Sequence, residues 1–353
     1  PIPLVNSIAS WFLKKRMHQI ELFIKYPNEV QTDVLFKLMG IAKNTIIGEK
    51  YDFASIKNYQ EFTERVPVFS YEQFSDKIEL ARRGENNIFW PSKIKWFAKS
   101  SGTTNSRSKY IPVTNESLED CHYAAGKDLL CMYFNNNPNS QLFTGKSLRL
   151  GGSKTPYEKN GTFYGDLSAI LIDNMPFWAE FSSTPSNKTS LMEDWSYKIN
   201  AIINETKNEN VTSLAGVPSW MLVLLNRILK ETNSNQIFEV WPNIEVYFHG
   251  GVSFKPYLNQ YKKLIGKDEM MYYEIYNASE GFFAIQYENN SDELLLMLDY
   301  GIFYEFIEMD KYGTKDEKVI PLADVKLNTN YAILITTNAG LWRYKIGDTV
   351  KFT

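Results

Sequence analysis

Residues 94–113 read IKWFAKSSGTTNSRSKYIPV, two apolar segments joined by a polar loop. The apolar and aromatic residues over 94–98 and 109–113 predict a strand and its return strand. The loop between them offers hydroxyl side chains, a glycine, and the cations Arg107 and Lys109. Such groups suit charge-assisted hydrogen bonds to a polyphosphate, although the spacing is not that of a Walker A loop. The same residues are equally typical of a polar hairpin turn, so the composition of the loop leaves both interpretations open.

Downstream of this loop, strand-like and helix-like segments alternate. The strands are predicted at 148–150, 212–215 and 244–248, and the helices at 116–134, 190–205 and 220–230. This alternation predicts an α/β fold of mostly parallel β-sheets flanked by helices. Closely spaced strands then predict a smaller antiparallel or barrel-like β subdomain. Those strands are expected at 294–298, 302–308, 331–337 and 342–345.

Upstream of the loop, apolar residues recur at helical spacing. Helices are expected at 4–24, 28–42 and 70–82. Ser70 stands at the N-cap of the last of these, with Gln73 at the capping-box position. The sequence therefore predicts three parts of one large domain: a helical segment over 1–92, an α/β core over 93–290 and a β-rich part over 291–353.

A second polar segment, residues 276–281, reads YNASEG and follows a strand predicted over 271–275. The ring of Tyr276 could cover an adenine face, and Ser279 could hydrogen-bond a phosphate oxygen. Glu280 could hold Mg²⁺, which prefers one or two carboxylates together with phosphate oxygens.

A third segment, residues 341–348, reads LWRYKIGD and follows the strand predicted over 331–337. An aspartate that follows a glycine at a strand end, here Asp348 after Gly347, suits recognition of ribose hydroxyls. Aspartates in this setting are more commonly turn residues, so this segment also has a structural interpretation.

Composition and charge exclude several classes of protein. The chain has 38 Lys and Arg against 41 Asp and Glu, a net charge of −3, with no electrostatic footprint for nucleic acid or an anionic membrane. Cys121 and Cys131 lie about 15 Å apart along one predicted helix, too far to form a disulfide. The thiols, with no signal peptide or membrane span recognised, predict a cytoplasmic location. Neither zinc-ligand spacing nor a GxSxG nucleophile motif is present.

Taken together, these segments resemble the motifs of the adenylate-forming superfamily, which includes acyl-CoA synthetases and firefly luciferase. More closely, the chain resembles the Gretchen Hagen acyl-acid–amido synthetases, known in plants as auxin-responsive promoter proteins. The matching motifs are K-x-I-P at 109–112, Y-x-x-S-E at 276–280 and T-T-x-x-G-L-x-R-Y-x-x-G-D at 336–348. The family's V-P-V-x-x-Y-E segment also matches, at 66–72, and the resemblance extends over residues 28–353.

The resemblance implies the large N-terminal domain of such an enzyme, with ATP and Mg²⁺ as cofactors. The residues implied for the phosphates and for catalysis are Ser100, Ser101, Thr103, Thr104, Lys109 and Glu280, and Glu280 would also hold the metal. The residues implied for the rest of the nucleotide are Gly250, Gly251, Tyr276, Ser279, Arg343 and Asp348. Within this set Tyr276 and the Gly250–Gly251 backbone would cover the adenine, and Asp348 would bind the ribose.

The resemblance also implies a reaction: ATP activates a small carboxylic acid as its acyl-AMP, and the acyl group passes to an amine, expected to be an amino acid. One alternative is a thiol acceptor, as in an acyl-CoA ligase or an acyl-protein synthetase. Another is a non-catalytic module that binds nucleotide or acyl acid. The family's small C-terminal lid domain would follow Asp348, and we expect it to be absent from this sequence. The identity of the acid and the oligomeric state do not follow from these motifs.

Overall fold

The computed structural model describes residues 3–100 and 108–353, and side chains from residue 11 onward within those ranges. The predicted phosphate-loop residues Ser101, Thr103 and Thr104 therefore lie outside the described residues. The α-helices are α1 (Pro3–Lys25), α2 (Pro27–Ala42), α3 (Ile46–Lys50), α4 (Tyr59–Arg65), α5 (Tyr71–Arg82), α6 (Asn115–Ser117), α7 (Ala124–Asn136), α8 (Leu167–Asp173), α9 (Phe177–Phe181), α10 (Asn187–Ser190), α11 (Trp195–Thr206), α12 (Pro218–Thr232), α13 (Ile237–Val240) and α14 (Leu258–Ile265).

The strands form three sheets. Their bounds are β1 (Trp96–Ser100), β2 (Lys109–Val113), β3 (Lys146–Leu150), β4 (Tyr157–Lys159), β5 (Thr162–Gly165), β6 (Ser183–Thr184), β7 (Val211–Gly216), β8 (Val246–His249), β9 (Met271–Ala278), β10 (Gly281–Gln286), β11 (Leu294–Leu296), β12 (Ile302–Glu308), β13 (Val319–Pro321), β14 (Asn330–Thr337) and β15 (Tyr344–Lys351). The first sheet has the order β2-β1-β5-β4, and β1 and β2 form the antiparallel hairpin that flanks the predicted phosphate loop.

The second sheet has seven strands in the order β11-β10-β9-β8-β7-β3-β6, and all neighbours from β9 to β6 are parallel. Strands buried on both faces read as nearly continuous apolar runs, as β7 and β8 do. Tyr247 packs with helices α11, α12 and α14 on one face, whereas Val246 and Phe248 pack toward Tyr133 of α7 on the other. This sheet confirms the predicted parallel α/β core.

The third sheet is antiparallel, with the order β13-β12-β14-β15, and confirms the predicted antiparallel β part. The strand expected there at 294–298 is instead β11 of the second sheet, where it pairs with β10. The N-terminal helices cover it: Gln31 of α2 donates to the carbonyl oxygens of Leu298 and Ile302 and accepts from the Tyr304 N–H. One hydrophobic core joins these helices to the sheet, with buried aromatics such as Phe62 and Trp342.

The predicted helix over 70–82 is confirmed as α5, and its capping box between Ser70 and Gln73 is present. Two other helix predictions were too simple. The segment 190–205 is divided into α10 and α11, because Asp194 accepts from the Tyr197 N–H and starts a new helix. The segment 116–134 contains a π-helical stretch, Leu118–Tyr123, between α6 and α7.

The last predicted strand, 342–345, begins and ends later, as Tyr344–Lys351. Its pairing with β14 is irregular, since Thr349 faces Ala332 while Lys345 faces Leu334. Three residues of β15 therefore oppose a single residue of β14, which is a bulge in which Gly347 has a φ of 89°. Asp348 consequently lies in this bulge within a strand, and not at a strand end as the sequence suggested.

Candidate functional site

The described part of the first motif lies at the open end of the β1–β2 hairpin. Ser100 and Lys109 are cross-strand partners there. The Lys109 ammonium lies 5.5 Å from the centre of the Tyr71 ring. Hydrogen bonds with the backbone and with Ser70 lower the pKa of the Glu72 carboxyl, and the positive charge of Lys109 lowers it to a smaller extent. No described carboxylate forms an ion pair with Lys109. The hairpin thus presents a hydroxyl and a cation at the base of the predicted phosphate loop.

The second motif forms the turn between β9 and β10. Ala278 pairs with Gly281, so Ser279 and Glu280 make a two-residue hairpin loop. Tyr276 lies two residues earlier on β9, with its ring centre 4.9 Å from that of Phe283. The three candidate side chains of this segment are therefore held on one short hairpin of the seven-stranded sheet.

The third motif reaches the second through a direct contact. The Tyr276 hydroxyl donates to Asp348 Oδ2 at 2.7 Å. Asp348 is exposed and lies in the β15 bulge next to Gly347, where a positive φ favours glycine. The residues predicted to contact the adenine and the ribose, which are distant in sequence, are neighbours in space.

The Gly250–Gly251 segment that follows β8 lies beside the same strand. A Cβ atom on Gly250 would lie 2.7 Å from Ile275 Cγ1 and 3.0 Å from the Ile275 carbonyl oxygen. Only a glycine permits this approach, and it brings the segment next to Tyr276. The predicted adenine-contacting residues are therefore adjacent.

Glu280 lies where all three sheets meet. Desolvation raises the pKa of its carboxyl, and Asp348 raises it further, whereas Lys109 opposes the shift. The buried Tyr344 hydroxyl makes no hydrogen bond to a described residue, but Glu280 adds to the effect of burial in raising the pKa of Tyr344. The site therefore holds two carboxylates, a cation and a phenol contributed by three different sheets.

Arg343, predicted to contact the nucleotide, is placed differently. Its guanidinium is buried and forms a two-pronged ion pair with Glu305, with both N–O distances at 2.9 Å. Its remaining nitrogen donates to the Val66 carbonyl oxygen at 2.7 Å and more weakly to that of Thr63 at 3.3 Å. The Tyr59 hydroxyl also donates to Glu305. Since protein groups occupy these donors, the described contacts give Arg343 a structural position and leave it out of the proposed site.

Tyr71 and Tyr344 both face the site, although no role was predicted for either of them. A signal was present, since Tyr71 belongs to the V-P-V-x-x-Y-E segment and Tyr344 to the third motif. The two segments are paired: Phe69 N–H donates to the Arg343 carbonyl oxygen, and Lys345 N–H donates to that of Phe69. The missing information was this long-range pairing.

His249 ends β8 immediately before Gly250 and is buried. Its ring stacks on Phe254 with centres 3.8 Å apart, and burial lowers its pKa to about 4. His249 Nδ1 has no hydrogen-bond partner among the described residues. A neutral, stacked histidine of this kind is a packing residue next to the Gly250–Gly251 segment.

The described residues lack two kinds of feature. Over residues 3–100 and 108–353, no group of three or more His, Cys, Asp or Glu side chains has the geometry of a metal site. In the same part of the chain, no helix combines the length and the apolar character needed to cross a membrane.

Solved structures share this architecture. A GH3.15 acyl acid amido synthetase in complex with 2,4-DB superposes with a TM-score of 0.75 at 18% identity, covering 92% of this chain and 65% of that one. A 2-hydroxyisobutyryl-CoA ligase in complex with 2-HIB-AMP and CoA gives a TM-score of 0.60 at 12% identity, covering 93% and 64%. The fold is therefore that of the large domain of adenylate-forming ligases.

The amino-acid sequence matches two domains of one protein family. Residues 16–270 match the GH3 family N-terminal domain and residues 295–353 match the GH3 family central domain. The chain belongs to the GH3 family. Among curated relatives, the indole-3-acetic acid-amido synthetase GH3.4 of Arabidopsis thaliana is 22% identical, over 96% of this chain and 67% of its own length. The jasmonoyl–L-amino acid synthetase JAR6 of Nicotiana attenuata is 22% identical, over 99% and 70%. The chain thus spans about two thirds of these relatives.

Proposed function

We propose that this protein uses ATP to convert a carboxylic acid into its acyl-AMP and then transfers the acyl group to the amino group of an amino acid. The observation that carries the proposal is that four side chains lie close together: Lys109, Tyr276, Glu280 and Asp348. Lys109, Tyr276 and Asp348 each come from a different sheet, and Glu280 comes from the turn between β9 and β10. Membership of the GH3 family and the printed activities of the relatives support it.

The adenosine half of ATP would lie between the Gly250–Gly251 backbone and the Tyr276 ring. An aromatic face and a flat glycine backbone together can cover both sides of a purine. Asp348 would accept hydrogen bonds from the ribose hydroxyls, and charge-assisted bonds of this kind are among the stronger ones in proteins.

The phosphates would extend toward the β1–β2 loop, where the hydroxyls of Ser100, Ser101, Thr103 and Thr104 and the Lys109 ammonium can donate to them. Ser279 would contact the α-phosphate. Glu280 fits Mg²⁺, because that ion accepts few protein carboxylates and completes its shell with phosphate oxygens and water. When bound, Mg²⁺ would neutralise charge on the phosphates.

In the first step, a carboxylate oxygen of the acid attacks the α-phosphorus of ATP in line, and the bond to pyrophosphate breaks. In the second step, an amine nitrogen attacks the acyl carbon and AMP leaves. Neither step needs a covalent enzyme nucleophile. Positioning of the reactants and donors aimed at the developing charge would supply the catalysis.

A thiol acceptor is the second candidate, because a CoA ligase shares the fold. The two are separated by incubating the chain with ATP, Mg²⁺, a panel of aryl and aliphatic acids, and either amino acids or CoA. Acid-dependent pyrophosphate release followed by an amide mass supports the proposal. A thioester mass would favour the CoA ligase, and nucleotide binding with no pyrophosphate release from any acid would favour a binding module. A cytoplasmic location stays a prediction.

A further inference from the structure

Arg149 is the penultimate residue of β3 and belongs to a row of side chains across the seven-stranded sheet. The register pairs Arg149 with Ala215 on β7, Ala215 with Phe248 on β8, and Phe248 with Tyr273 on β9. Phe248 and Tyr273 pack with Tyr133 of α7. Because cross-strand partners point to the same face of a sheet, Arg149 projects into the layer between the sheet and α7.

Arg149 is half-buried and has no anionic partner among the described residues. Its NH1 group contacts Met175 Sδ at 3.2 Å, and a thioether is only a weak acceptor. The neighbouring Tyr123 donates its hydroxyl to a backbone carbonyl instead. Burial lowers the pKa of Arg149, as it does for a cation without a counter-ion. Residues 1–10 and 101–107, whose side chains are not described, include no aspartate or glutamate.

Other arginines packed within the fold are paired. Arg16 binds Asp128 and Asp299, and Arg343 binds Glu305. A cation that is partly removed from water without an anion loses part of its hydration, and nothing replaces it. A ligand carrying an anionic group would restore it, and a planar guanidinium matches a carboxylate with parallel N–H donors.

Arg149 lies near the sheet edge that carries the proposed nucleotide site, but several strands away. Leu150, Gly216 and His249 end their strands at the same level, and His249 leads directly into Gly250. The order β3-β7-β8-β9 separates β3 from the strand of Tyr276 by three strand spacings, roughly 14 Å. The carboxylate that attacks ATP must meet the α-phosphate on the β9 side. The anion that Arg149 can reach is therefore not the carboxylate that attacks ATP.

We propose that Arg149 binds a second carboxylate of the acyl acid, remote from the carboxylate that is activated, so that the preferred substrates are dicarboxylic acids. The proposal rests on the proposed function for its link to acyl-AMP formation. The anion site itself is a property of the free chain and can be measured without catalysis. Met175 contacts the guanidinium, and Ala215 and Phe248 continue the same row across β7 and β8, so the hydrocarbon part of such an acid can pack along this apolar row.

The test is calorimetric titration of the chain with adipate, suberate and sebacate, and with hexanoate, octanoate and decanoate as monocarboxylates of matched length. At least one dicarboxylate should bind about tenfold to a hundredfold more tightly than its matched monocarboxylate. The Arg149→Met variant should abolish this preference and leave monocarboxylate affinity unchanged. Arg83→Met, at an exposed position at the end of α5, removes the same charge elsewhere and should keep the preference.

Folding of the Arg149→Met variant is checked by thermal unfolding. Its Tm should be no lower than that of the parent, because the change removes an unpaired cation and keeps a long, flexible apolar side chain. The proposal is overturned if the parent binds no dicarboxylate, or binds both classes equally. It is also overturned if the variant weakens both classes alike, since Arg149 would then hold the activated carboxylate. Acid-dependent pyrophosphate release, measured separately, decides the proposed function.

Discussion

The most informative contact in the site is the hydrogen bond between Tyr276 and Asp348. Asp348 is exposed, so ribose hydroxyls can reach the carboxylate oxygen that the Tyr276 hydroxyl does not occupy. Tyr276 also orients Asp348 before the nucleotide arrives. In the proposed complex, this hydrogen bond would couple recognition of the adenine to recognition of the ribose.

Replacing Asp348 with Ala should weaken ATP binding by about 1.5–3 kcal/mol, the usual cost of losing a hydrogen-bond partner that carries charge. Free pyrophosphate should bind almost as well as before, because it has no ribose. Titration calorimetry with both ligands measures the difference. Tyr276→Phe is the matched control: it removes the hydroxyl, keeps the ring, and should weaken ATP less than Asp348→Ala. Equal losses for ATP and pyrophosphate would contradict the ribose role.

Glu280→Gln should weaken the Mg²⁺-dependent part of ATP binding selectively. A neutral amide keeps the size of the side chain but removes the charge that Mg²⁺ prefers. ATP affinity is measured with Mg²⁺ and with EDTA for parent and variant. If the parent binds ATP equally in both buffers, the metal role assigned to Glu280 is wrong.

The Glu280→Gln variant should also change how the stability of the chain depends on pH. The pKa of Glu280 is raised mainly by desolvation, so the folded chain holds this proton more tightly than the unfolded chain. Its contribution to stability is full below the ordinary carboxyl pKa and is lost as the pH rises through the raised value. Glu280→Gln should therefore gain stability relative to the parent between about pH 4 and about pH 7. Urea unfolding of the parent and the variant at both pH values measures this difference. A variant whose stability falls relative to the parent from the lower to the higher pH would refute the prediction.

Among the elements, Arg343 links the start of β15 to β12 through its ion pair with Glu305. It also donates a hydrogen bond to the Val66 carbonyl oxygen, in the segment that follows α4. Arg343→Met leaves Glu305 buried without its cation, which should cost about 3–5 kcal/mol in the free energy of unfolding. The double variant Arg343→Met/Glu305→Leu should recover part of that loss, since no charge is left unpaired. Chemical denaturation of the single and double variants tests this. A single variant as stable as the parent would show that the ion pair is dispensable.

The close approach of Gly250 to Ile275 predicts that a side chain at position 250 is not tolerated. A Cβ at 2.7 Å from Ile275 Cγ1 must push β8 and β9 apart beside Tyr276, so Gly250→Ala should lower both stability and ATP affinity. Gly126→Ala is the matched control, because a Cβ there meets nothing within 4 Å and alanine favours a helix. Thermal unfolding and ATP titration of both variants decide the matter. Equal behaviour of the two would mean that the strands tolerate the added methyl group.

The elements also separate what the sequence could predict from what it could not. Helix α5 and strand β2 follow from local signals, the Ser70 capping box and a run of apolar residues, and both were predicted. The β15 bulge depends on pairing with β14, and the buried partner of Arg343 lies 38 residues away. Local patterns do not contain such partners. The motifs therefore predicted residues that the fold brings close together, but they contained no sign that protein groups occupy the donors of Arg343.

At the scale of the molecule, the site exists only because three sheets meet. Lys109 comes from the first sheet, Tyr276 and Glu280 from the second, and Asp348 from the third. One hydrophobic core runs from the N-terminal helices to the third sheet, and it fixes this meeting point. The predicted division of the chain at residues 92 and 290 stays a prediction.

The most direct test of this account is a crystal structure of the chain with Mg²⁺ and a non-hydrolysable ATP analogue. The account predicts adenine between the Tyr276 ring and the Gly250–Gly251 backbone, and ribose hydroxyls on Asp348. The phosphates should point toward Lys109, with the metal on Glu280. A nucleotide bound elsewhere, or bound here with its phosphates turned away from Lys109 and Glu280, would contradict the account.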